Sequence, residues 1–349
     1  MRIASVASAL PRHYYSQNVI TKELEKYWEG KLENPRLLER LHSHMGVDGR
    51  YLALPAEAYE HLTTWGQANS AWIECALELG QSAICQALTR AGLDRRDLHA
   101  LFIVSVTGIA SPSLDARLIN RMGLSPNLKR IPIFGLGCVA GAAGIARAAD
   151  YVRSFPDHVA CLLSVELCSL TLRKDDVSMA NLISAGLFGD GAAAVIVAGR
   201  ERNAEGPRIL ATRSVFYPNS EYVMGWDISE KGFRIVLSSD VPEMVERHLA
   251  SDVDAFLDDM GLTRPDIGCW ILHPGGPKVL EATAAALNLP EGALEVSWDS
   301  LRGVGNLSSA SVLLVLEEFM LHRRPPEGTY SLLAAMGPGF CSELVLLQW

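Results

Sequence analysis

The sequence predicts an α/β fold in which strands pair mainly in parallel. Short apolar runs typical of buried strands alternate with longer segments whose apolar residues recur at helical spacing. Such alternation is the signature of βαβ units. The chain has 349 residues, of which 49% are hydrophobic and 20% are charged. It can therefore build a large core, and its length predicts two domains or one large duplicated domain.

The elements can be assigned in chain order. Apolar side chains at Ile3, Val6 and Ala9 suit a first strand. A helical pattern over residues 68–91 stops at Gly92. The elements that follow are a buried strand, a helix rich in Ala and Gly, and two more buried strands, predicted over 100–106, 139–154, 159–165 and 192–198.

A charged stretch that contains Gly and Pro, at residues 200–208, predicts a boundary between two halves of the chain. Charged residues favour contact with solvent, and Gly and Pro favour the backbone angles of turns, so stretches of this composition are typical of loops. We therefore expect an N-terminal half at 1–205 and a C-terminal half at 206–349.

Two short echoes relate these halves. A Gly-Leu-x-x-x-Asp segment precedes a strand twice, ending at Asp97 and at Asp266, an offset of 266 − 97 = 169 residues. A Gly-rich turn runs into an apolar strand within 187–199 and again within 334–349. This self-similarity predicts duplicated βα units that share one core.

The composition argues against several classes of function. With 31 Lys+Arg against 40 Asp+Glu the net charge is −9, which disfavours an extended surface for nucleic acid or for anionic membranes. No uninterrupted apolar run of about 18 residues occurs, so we expect no membrane span. The first residues lack the long apolar segment of a signal peptide, and we expect a cytoplasmic protein.

The seven cysteines and nine histidines do not form metal-binding patterns. No CxxC pair occurs, so neither a disulfide framework nor a thiolate zinc site is indicated. His42 and His44 have no acidic or cysteine companions beside them, and we expect no metal site. These thiols imply a reducing compartment and raise the question of whether one of them is reactive.

Cys138 is the candidate nucleophile. It follows an apolar strand at a Gly-x-Gly turn and precedes a small-residue helix, so its thiol lies near a helix N-terminus. There the helix dipole and free N–H groups lower the pKa of a thiol and favour the nucleophilic thiolate. Because many buried cysteines act only as small apolar side chains, the spacing alone leaves both interpretations open.

The same turn imitates a dinucleotide-binding fingerprint, Gly135-x-Gly137-x-x-Ala140, with Asp157 further along the chain. Asp157, however, precedes the next strand instead of ending it. The Cys138 side chain would also compete with a pyrophosphate for the turn. We therefore rank nucleotide binding low.

Two further residues could complete a catalytic site with the thiol. His273 ends the buried strand CWIL and precedes a Pro-Gly-Gly-Pro turn, the kind of strand end where α/β sites assemble. Asn306 lies in a glycine turn that leads into a helix. It could cap that helix, or its amide could donate a hydrogen bond to a carbonyl or enolate oxygen.

Six segments, in order, carry a resemblance to a known family. GLGCVAG, HPGGP and GNLSSAS resemble the thiolase-superfamily condensing enzymes. Three more segments are similar to the type III polyketide synthases, the chalcone-synthase family, and above all to its bacterial branch: SVELCSLTL (164–172), LFGDGAA (187–193) and MGPGF (336–340). The resemblance implies a thiolase-like αβαβα layered fold built from two duplicated halves.

The resemblance also implies the catalytic roles. Cys138 matches the nucleophile that accepts an acyl group from an acyl-CoA starter, and the imidazole of His273 would support its thiolate as an ion pair. His273 and Asn306 match the pair that holds malonyl-CoA and the enolate left by its decarboxylation. Coenzyme A thioesters are then substrates, no cofactor is bound permanently, and the family forms homodimers.

Other positions match the walls of the family's cavities. Phe188 matches the gatekeeper aromatic between the CoA tunnel and the cavity where the chain grows. The cavity-lining positions of the family fall on Cys168, Thr171, Gly225, Ile235 and Ser308. The positions that contact CoA fall on Arg40, Gly275, Gly276 and Lys278.

These walls favour one class of product. Ile235 stands near the place of a second gatekeeper aromatic, and an aliphatic side chain there favours an aliphatic acyl-CoA starter and a pyrone or resorcinol product. The alternatives are a ketoacyl synthase III-type enzyme that condenses once with an acyl carrier protein, a cysteine hydrolase, and an inactive thiolase-like binding subunit. Retention of all three catalytic positions argues against the last.

Overall fold

A computed structural model describes residues 1–34 and 36–349. The strands are β1 (Arg2–Ala9), β2 (His13–Ser16), β3 (Gly49–Leu52), β4 (Ala100–Val104), β5 (Lys129–Ile133), β6 (Val159–Leu167), β7 (Asp190–Ala198), β8 (Arg208–Phe216), β9 (Met224–Ser229), β10 (Gly232–Leu237), β11 (Ile267–Leu272), β12 (Tyr330–Gly337) and β13 (Cys341–Gln348). The helices are α1 (Gln17–Trp28), α2 (Leu37–His42), α3 (Trp65–Arg90), α4 (Leu114–Met122), α5 (Ala140–Ser154), α6 (Met179–Leu187), α7 (Val241–Asp258), α8 (Pro277–Leu287), α9 (Glu295–Val304) and α10 (Ser311–Leu321).

Nine of the described strands form one mixed sheet, in the order β11-β12-β13-β8-β1-β7-β6-β4-β5. The α/β class is confirmed, but the expectation of mainly parallel pairing is wrong. β4 pairs in parallel with β5 and β6, and β11 with β12, while the other neighbours in the described sheet are antiparallel. One reason is local: a tight turn joins β12 to β13, and a turn that short permits only antiparallel pairing.

Helices cover the sheet in layers. α3 packs on the outer face of β1, β6 and β7, and α7 and α8 pack together beside the C-terminal strands. α5 contacts strands of both halves, β4 and β6 on one side and β12 and β13 on the other, and α10 lies against it. α5 is rich in Ala and Gly because the two sheet halves approach it closely: a Cβ at Gly144 would lie 2.4 Å from the Leu162 side chain.

The two echoes seen in the sequence are structural repeats. Asp97 and Asp266 each close a short 3₁₀ turn before a strand, and their carboxylates accept the backbone N–H groups of Asp94 and Thr263, at 2.8 and 2.7 Å. The strands that follow, β4 and β11, each pair in parallel with the next strand inward, β6 and β12. β6 and β12 then pair antiparallel with β7 and β13, the strands of the second echo.

Candidate active site

Cys138 lies at the entrance to the central helix α5. It occupies a 3₁₀ turn, Gly137–Val139, that leads directly into α5, as the strand–turn–helix pattern predicts. Gly137 has φ +54°, and a Cβ there would lie 2.7 Å from the Pro338 ring, so the turn requires glycine. The Cys138 Sγ donates a hydrogen bond to the Oγ of Ser308 at 3.6 Å, and the residue is 5% exposed.

The expectation of a lowered thiol pKa is wrong for this closed site. Burial raises the pKa of the Cys138 thiol to about 12; the hydrogen bond to Ser308 favours the thiolate, and the Glu166 carboxylate opposes it. Burial thus acts against the thiolate, in the direction opposite to the helix N-terminus. A base that accepts the thiol proton is needed to form the nucleophilic thiolate.

His273 lies one residue beyond β11, where its backbone N–H donates to the Ala334 carbonyl at 3.0 Å. Both ring nitrogens are buried, and neither has a hydrogen-bond partner in the part of the chain that the structure describes. Burial lowers the pKa of His273 to about 4, so the imidazole is neutral at neutral pH. Burial therefore disfavours each charge of the expected ion pair between the Cys138 thiolate and an imidazolium, and the pair stays a prediction.

Asn306 follows α9 across Gly305, which has φ +75°. Its Nδ2 donates to the Gly275 carbonyl at 3.1 Å, and its Oδ1 accepts the Ser308 N–H at 2.8 Å. The amide is thus held in one orientation, and Nδ2 keeps a second N–H for a ligand. The Oδ1 contact lies at the start of the 3₁₀ turn Ser308–Ala310 and is of the kind that a helix cap makes, so the two alternatives that the sequence left open are compatible.

Two cavities meet at this site. The entrance cavity has a volume of about 800 Å³ and is lined by His273 and Asn306. The inner cavity has a volume of about 260 Å³ and is lined by Cys168 and Ser308. Cys138 and Phe188 line both. Phe188 therefore stands where a gatekeeper would stand, at the junction.

The other predicted site residues divide between these cavities. The positions that the resemblance assigns to CoA line the entrance cavity: Arg40, Gly275, Gly276 and Lys278. The positions assigned to the growing chain line the inner cavity: Cys168, Thr171, Gly225, Ile235 and Ser308. Burial raises the pKa of the Cys168 thiol well above its usual value.

A buried carboxylate behind the nucleophile was not identified from the sequence. Glu166 accepts hydrogen bonds from the Thr107 hydroxyl at 3.0 Å, the Val106 N–H at 3.1 Å and the Ser309 hydroxyl. Burial raises the pKa of Glu166 to about 7, against the opposing effect of these hydrogen bonds. The one sequence signal for it was an acidic residue inside an otherwise apolar strand, SVEL.

Neither a metal centre nor a membrane helix is found among residues 1–34 and 36–349. No group of three or more His, Cys, Asp or Glu residues there is placed to hold a metal ion. No helix in the same part of the chain is long and apolar enough to cross a membrane.

Both halves of the chain match models of one protein family. Residues 6–201 match the N-terminal domain of chalcone and stilbene synthases, and residues 208–349 match the C-terminal domain. The chain is 51% identical over 350 residues to a 1,3,6,8-tetrahydroxynaphthalene synthase of Streptomyces peucetius subsp. caesius, which covers 99% of this chain and 93% of the relative. It is 34% identical to a putative chalcone synthase of Bacillus subtilis, over 99% of this chain and 98% of that protein.

A solved structure agrees with these relatives. The crystal structure of 1,3,6,8-tetrahydroxynaphthalene synthase from Streptomyces coelicolor A3(2), described as a bacterial type III polyketide synthase, superposes with a TM-score of 0.95 at 31% identity. The superposition covers 100% of this chain and 99% of that one. The predicted thiolase-like fold is confirmed.

Fold and family together define the class of enzyme. The chain is a thiolase-like condensing enzyme, and such enzymes are acyltransferases. Within that class it belongs to the chalcone and stilbene synthase family, the type III polyketide synthases. The chain is therefore a member of this family and not a ketoacyl synthase III-type enzyme.

Proposed function

We propose that this enzyme uses malonyl-CoA both as starter and as extender and forms 1,3,6,8-tetrahydroxynaphthalene. The observation that carries the proposal is the 51% identity, over 99% of this chain, to the Streptomyces peucetius enzyme of that name. Coenzyme A thioesters are then the substrates, and no permanently bound cofactor takes part.

The reaction begins with acyl transfer to Cys138. The thiol gives its proton to the neutral imidazole of His273, whose two ring nitrogens are unpaired among residues 1–34 and 36–349. The thiolate attacks the thioester carbonyl of the starter, a new carbon–sulfur bond forms, and CoA leaves as its thiolate, which takes up a proton. The acyl chain is now carried on Cys138, which lines both cavities.

Extension follows from decarboxylation of a second malonyl-CoA. Its carboxylate leaves as CO₂, and the electron pair of the broken carbon–carbon bond forms an enolate whose oxygen accepts hydrogen bonds from His273 and from the free N–H of Asn306. The enolate carbon attacks the thioester on Cys138 and expels the Cys138 thiolate. The lengthened chain, now on CoA, returns to Cys138 for the next cycle.

The two cavities divide the substrate between them. The CoA moiety occupies the entrance cavity, where Arg40 and Lys278 provide positive charge for its phosphates and the backbone at Gly275 and Gly276 lies beside its arm. The growing chain enters the inner cavity past Phe188. Cyclisation takes place there, away from bulk water.

A second candidate starter is an aliphatic acyl-CoA, with a pyrone or resorcinol product. The specific observation in its favour is the apolar wall that α1 contributes to the inner cavity through Val19, Ile20 and Leu24. Ile235 adds a further aliphatic side chain to that cavity. An alkyl chain would bury its surface against these side chains.

We also propose that the enzyme acts as a homodimer in the cytoplasm. β5 is one of the two edge strands of the sheet, with one side unpaired in the described chain, and such an edge can pair with a strand of a second chain. Phe134, directly after β5, is 49% exposed. Seven free thiols fit a reducing compartment.

The test is a product analysis by mass spectrometry. In one reaction the purified enzyme receives ¹³C-labelled malonyl-CoA alone. In a second reaction it receives the same labelled malonyl-CoA together with an equimolar amount of an unlabelled fatty acyl-CoA. The proposal predicts fully labelled 1,3,6,8-tetrahydroxynaphthalene in both reactions. Products that form only with the fatty acyl-CoA, and carry its unlabelled chain, would favour the second candidate and refute the first.

A further inference from the structure

Arg50, on β3, is the one cationic side chain among the described residues that line the inner cavity. It is 2% exposed, so its guanidinium is removed from water. Burial lowers the pKa of Arg50 to about 10, which leaves it protonated at neutral pH. A charge is thus kept inside a cavity whose walls are otherwise mostly apolar.

The protein holds the Arg50 guanidinium in place but pairs only some of its hydrogen-bond donors. Nη1 donates to the backbone carbonyl of Phe188 at 2.6 Å, whereas Nε and Nη2 are buried without a hydrogen-bond partner among the described residues. The nearby carboxylate of Asp190 offsets the positive charge of Arg50. The oxygens of that carboxylate, however, accept hydrogen bonds from the Ala53 N–H at 2.6 Å and from the Ser169 N–H at 2.8 Å. Buried donors of a charged group are costly to leave unpaired.

The stem of Arg50 is confined as well. A Cβ on Gly305 would lie 2.9 Å from the Arg50 Cδ, and a Cβ on Gly189 would lie 3.6 Å from the Arg50 Cβ. The side chain is therefore packed between the turn that carries Asn306 and the segment that follows Phe188. Its positive charge acts on the thiol of Cys168, which lines the inner cavity together with Arg50 and Ser169, so the guanidinium lies near that wall.

We propose that Arg50 is a specificity-determining residue whose Nε and Nη2 donate hydrogen bonds to the β-oxygens of the acyl chain carried on Cys138. The chemical class of ligand is a β-oxygenated acyl group, either the carboxylate of a malonyl starter or the β-ketone of an extended chain. This inference rests on the proposed function, since a malonyl starter presents such a carboxylate and an alkyl starter does not.

The first test changes the substrate and leaves the protein intact. Acetoacetyl-CoA and butyryl-CoA have acyl groups of equal carbon number that differ by one β-oxygen. Acetoacetyl-CoA should prime the wild-type enzyme about tenfold more efficiently than butyryl-CoA does. One hydrogen bond from a charged donor contributes a binding free energy of about that size. Equal priming by the two starters overturns the proposal.

The second test changes Arg50. Arg50→Met should remove the preference for acetoacetyl-CoA, while Arg50→Lys, which retains a donor cation, should restore part of it. Lys174→Met is the matched control, because Lys174 is a half-buried cation whose Nζ is already bonded to the Tyr59 and Leu62 carbonyls outside the inner cavity. It should leave the preference unchanged.

These readouts separate a binding role from a structural one. If Arg50 only held Phe188 in place, Arg50→Met would slow priming by both starters equally, and the ratio would stay that of wild type; this result would overturn the proposal. Thermal unfolding of each variant shows whether it is folded. Failure of the proposed function is seen separately, because wild-type enzyme would then give no product from malonyl-CoA alone whatever its preference between acetoacetyl-CoA and butyryl-CoA.

Discussion

Phe188 and Asn306 form an isolated parallel backbone bridge. The Asn306 N–H donates to the Leu187 carbonyl and the Gly189 N–H donates to the Asn306 carbonyl, both at 2.9 Å. Phe188, at the junction between the two cavities, is thus joined to Asn306, the hydrogen-bond donor of the entrance cavity, through the main chain. Because these hydrogen bonds involve only the backbone, a side-chain substitution at Phe188 can alter the junction without moving Asn306. A substitution at Asn306 can likewise remove the donor without moving Phe188.

Asn306→Ala should lower the rate of malonyl-CoA decarboxylation by about a hundred- to a thousandfold, because the enolate loses one fixed hydrogen-bond donor. The backbone bridge remains, so acylation of Cys138 by a starter should continue. Decarboxylation is measured as CO₂ release and acylation as a mass increase of the intact protein. Loss of acylation in a folded variant would show that Asn306 acts mainly on the nucleophile.

The alkylation rate of Cys138 by iodoacetamide should rise about tenfold per pH unit from pH 6 to pH 10 without a plateau, because burial raises the pKa of this thiol and the thiolate is the reactive form. Peptide mass spectrometry follows the reaction, with the exposed Cys85 as an internal comparison. A plateau near neutral pH would instead establish a resting thiolate–imidazolium pair.

Stability should respond to pH through Glu166. Because its pKa is raised from 4.5 to about 7, the folded state holds a proton that the unfolded state releases, so this contribution to stability is full at low pH and is lost as the pH rises from 4.5 through 7. Glu166→Gln cannot ionise. The difference in unfolding free energy between wild type and variant should therefore fall by on the order of 3 kcal/mol between pH 5 and pH 8.

Denaturant titrations at several pH values measure that difference, and the slope against pH matters more than the absolute stability. Gln can accept fewer hydrogen bonds than a carboxylate, so the variant loses stability at every pH. A difference that does not vary with pH would show that Glu166 is ionised throughout.

Replacing both Arg40 and Lys278 by Ala should raise the KM for malonyl-CoA about tenfold or more and leave kcat nearly unchanged, because both exposed cations line the entrance cavity and would contact CoA phosphates. The effect should shrink at high salt, which screens exposed charges. Arg324→Ala, an exposed cation that does not line this cavity, is the matched control. An equal fall in kcat would place the pair closer to the chemistry.

Local sequence patterns were enough to predict where the proposed catalytic residues lie. Cys138 lies in a strand–turn–helix pattern whose spacing is visible along the chain, and His273 and Asn306 each follow a recognisable element and a glycine turn. The duplication was also visible, because Asp97 and Asp266 close the same turn before equivalent strands.

The rest depended on contacts between distant parts of the chain. Arg50 reaches Phe188 across 138 residues, and Glu166 meets Ser309 across 143. No local pattern distinguishes a buried, partly unpaired arginine from a surface one. The effect of burial on Cys138 could not be predicted for the same reason, because burial, which raises the pKa of this thiol, is a property of the assembled fold, whereas the sequence displays only the helix N-terminus.

The division of labour between Cys138 and the pair His273 and Asn306 is the central claim, and Cys138→Ala tests it most directly. Purified variant and wild type are given malonyl-CoA, and CO₂ release and condensed products are measured in the same reaction. The account predicts that condensed products disappear while CO₂ release continues, because the enolate site is intact. Condensed products at the wild-type level, or loss of both activities in a variant that unfolds like wild type, would contradict it.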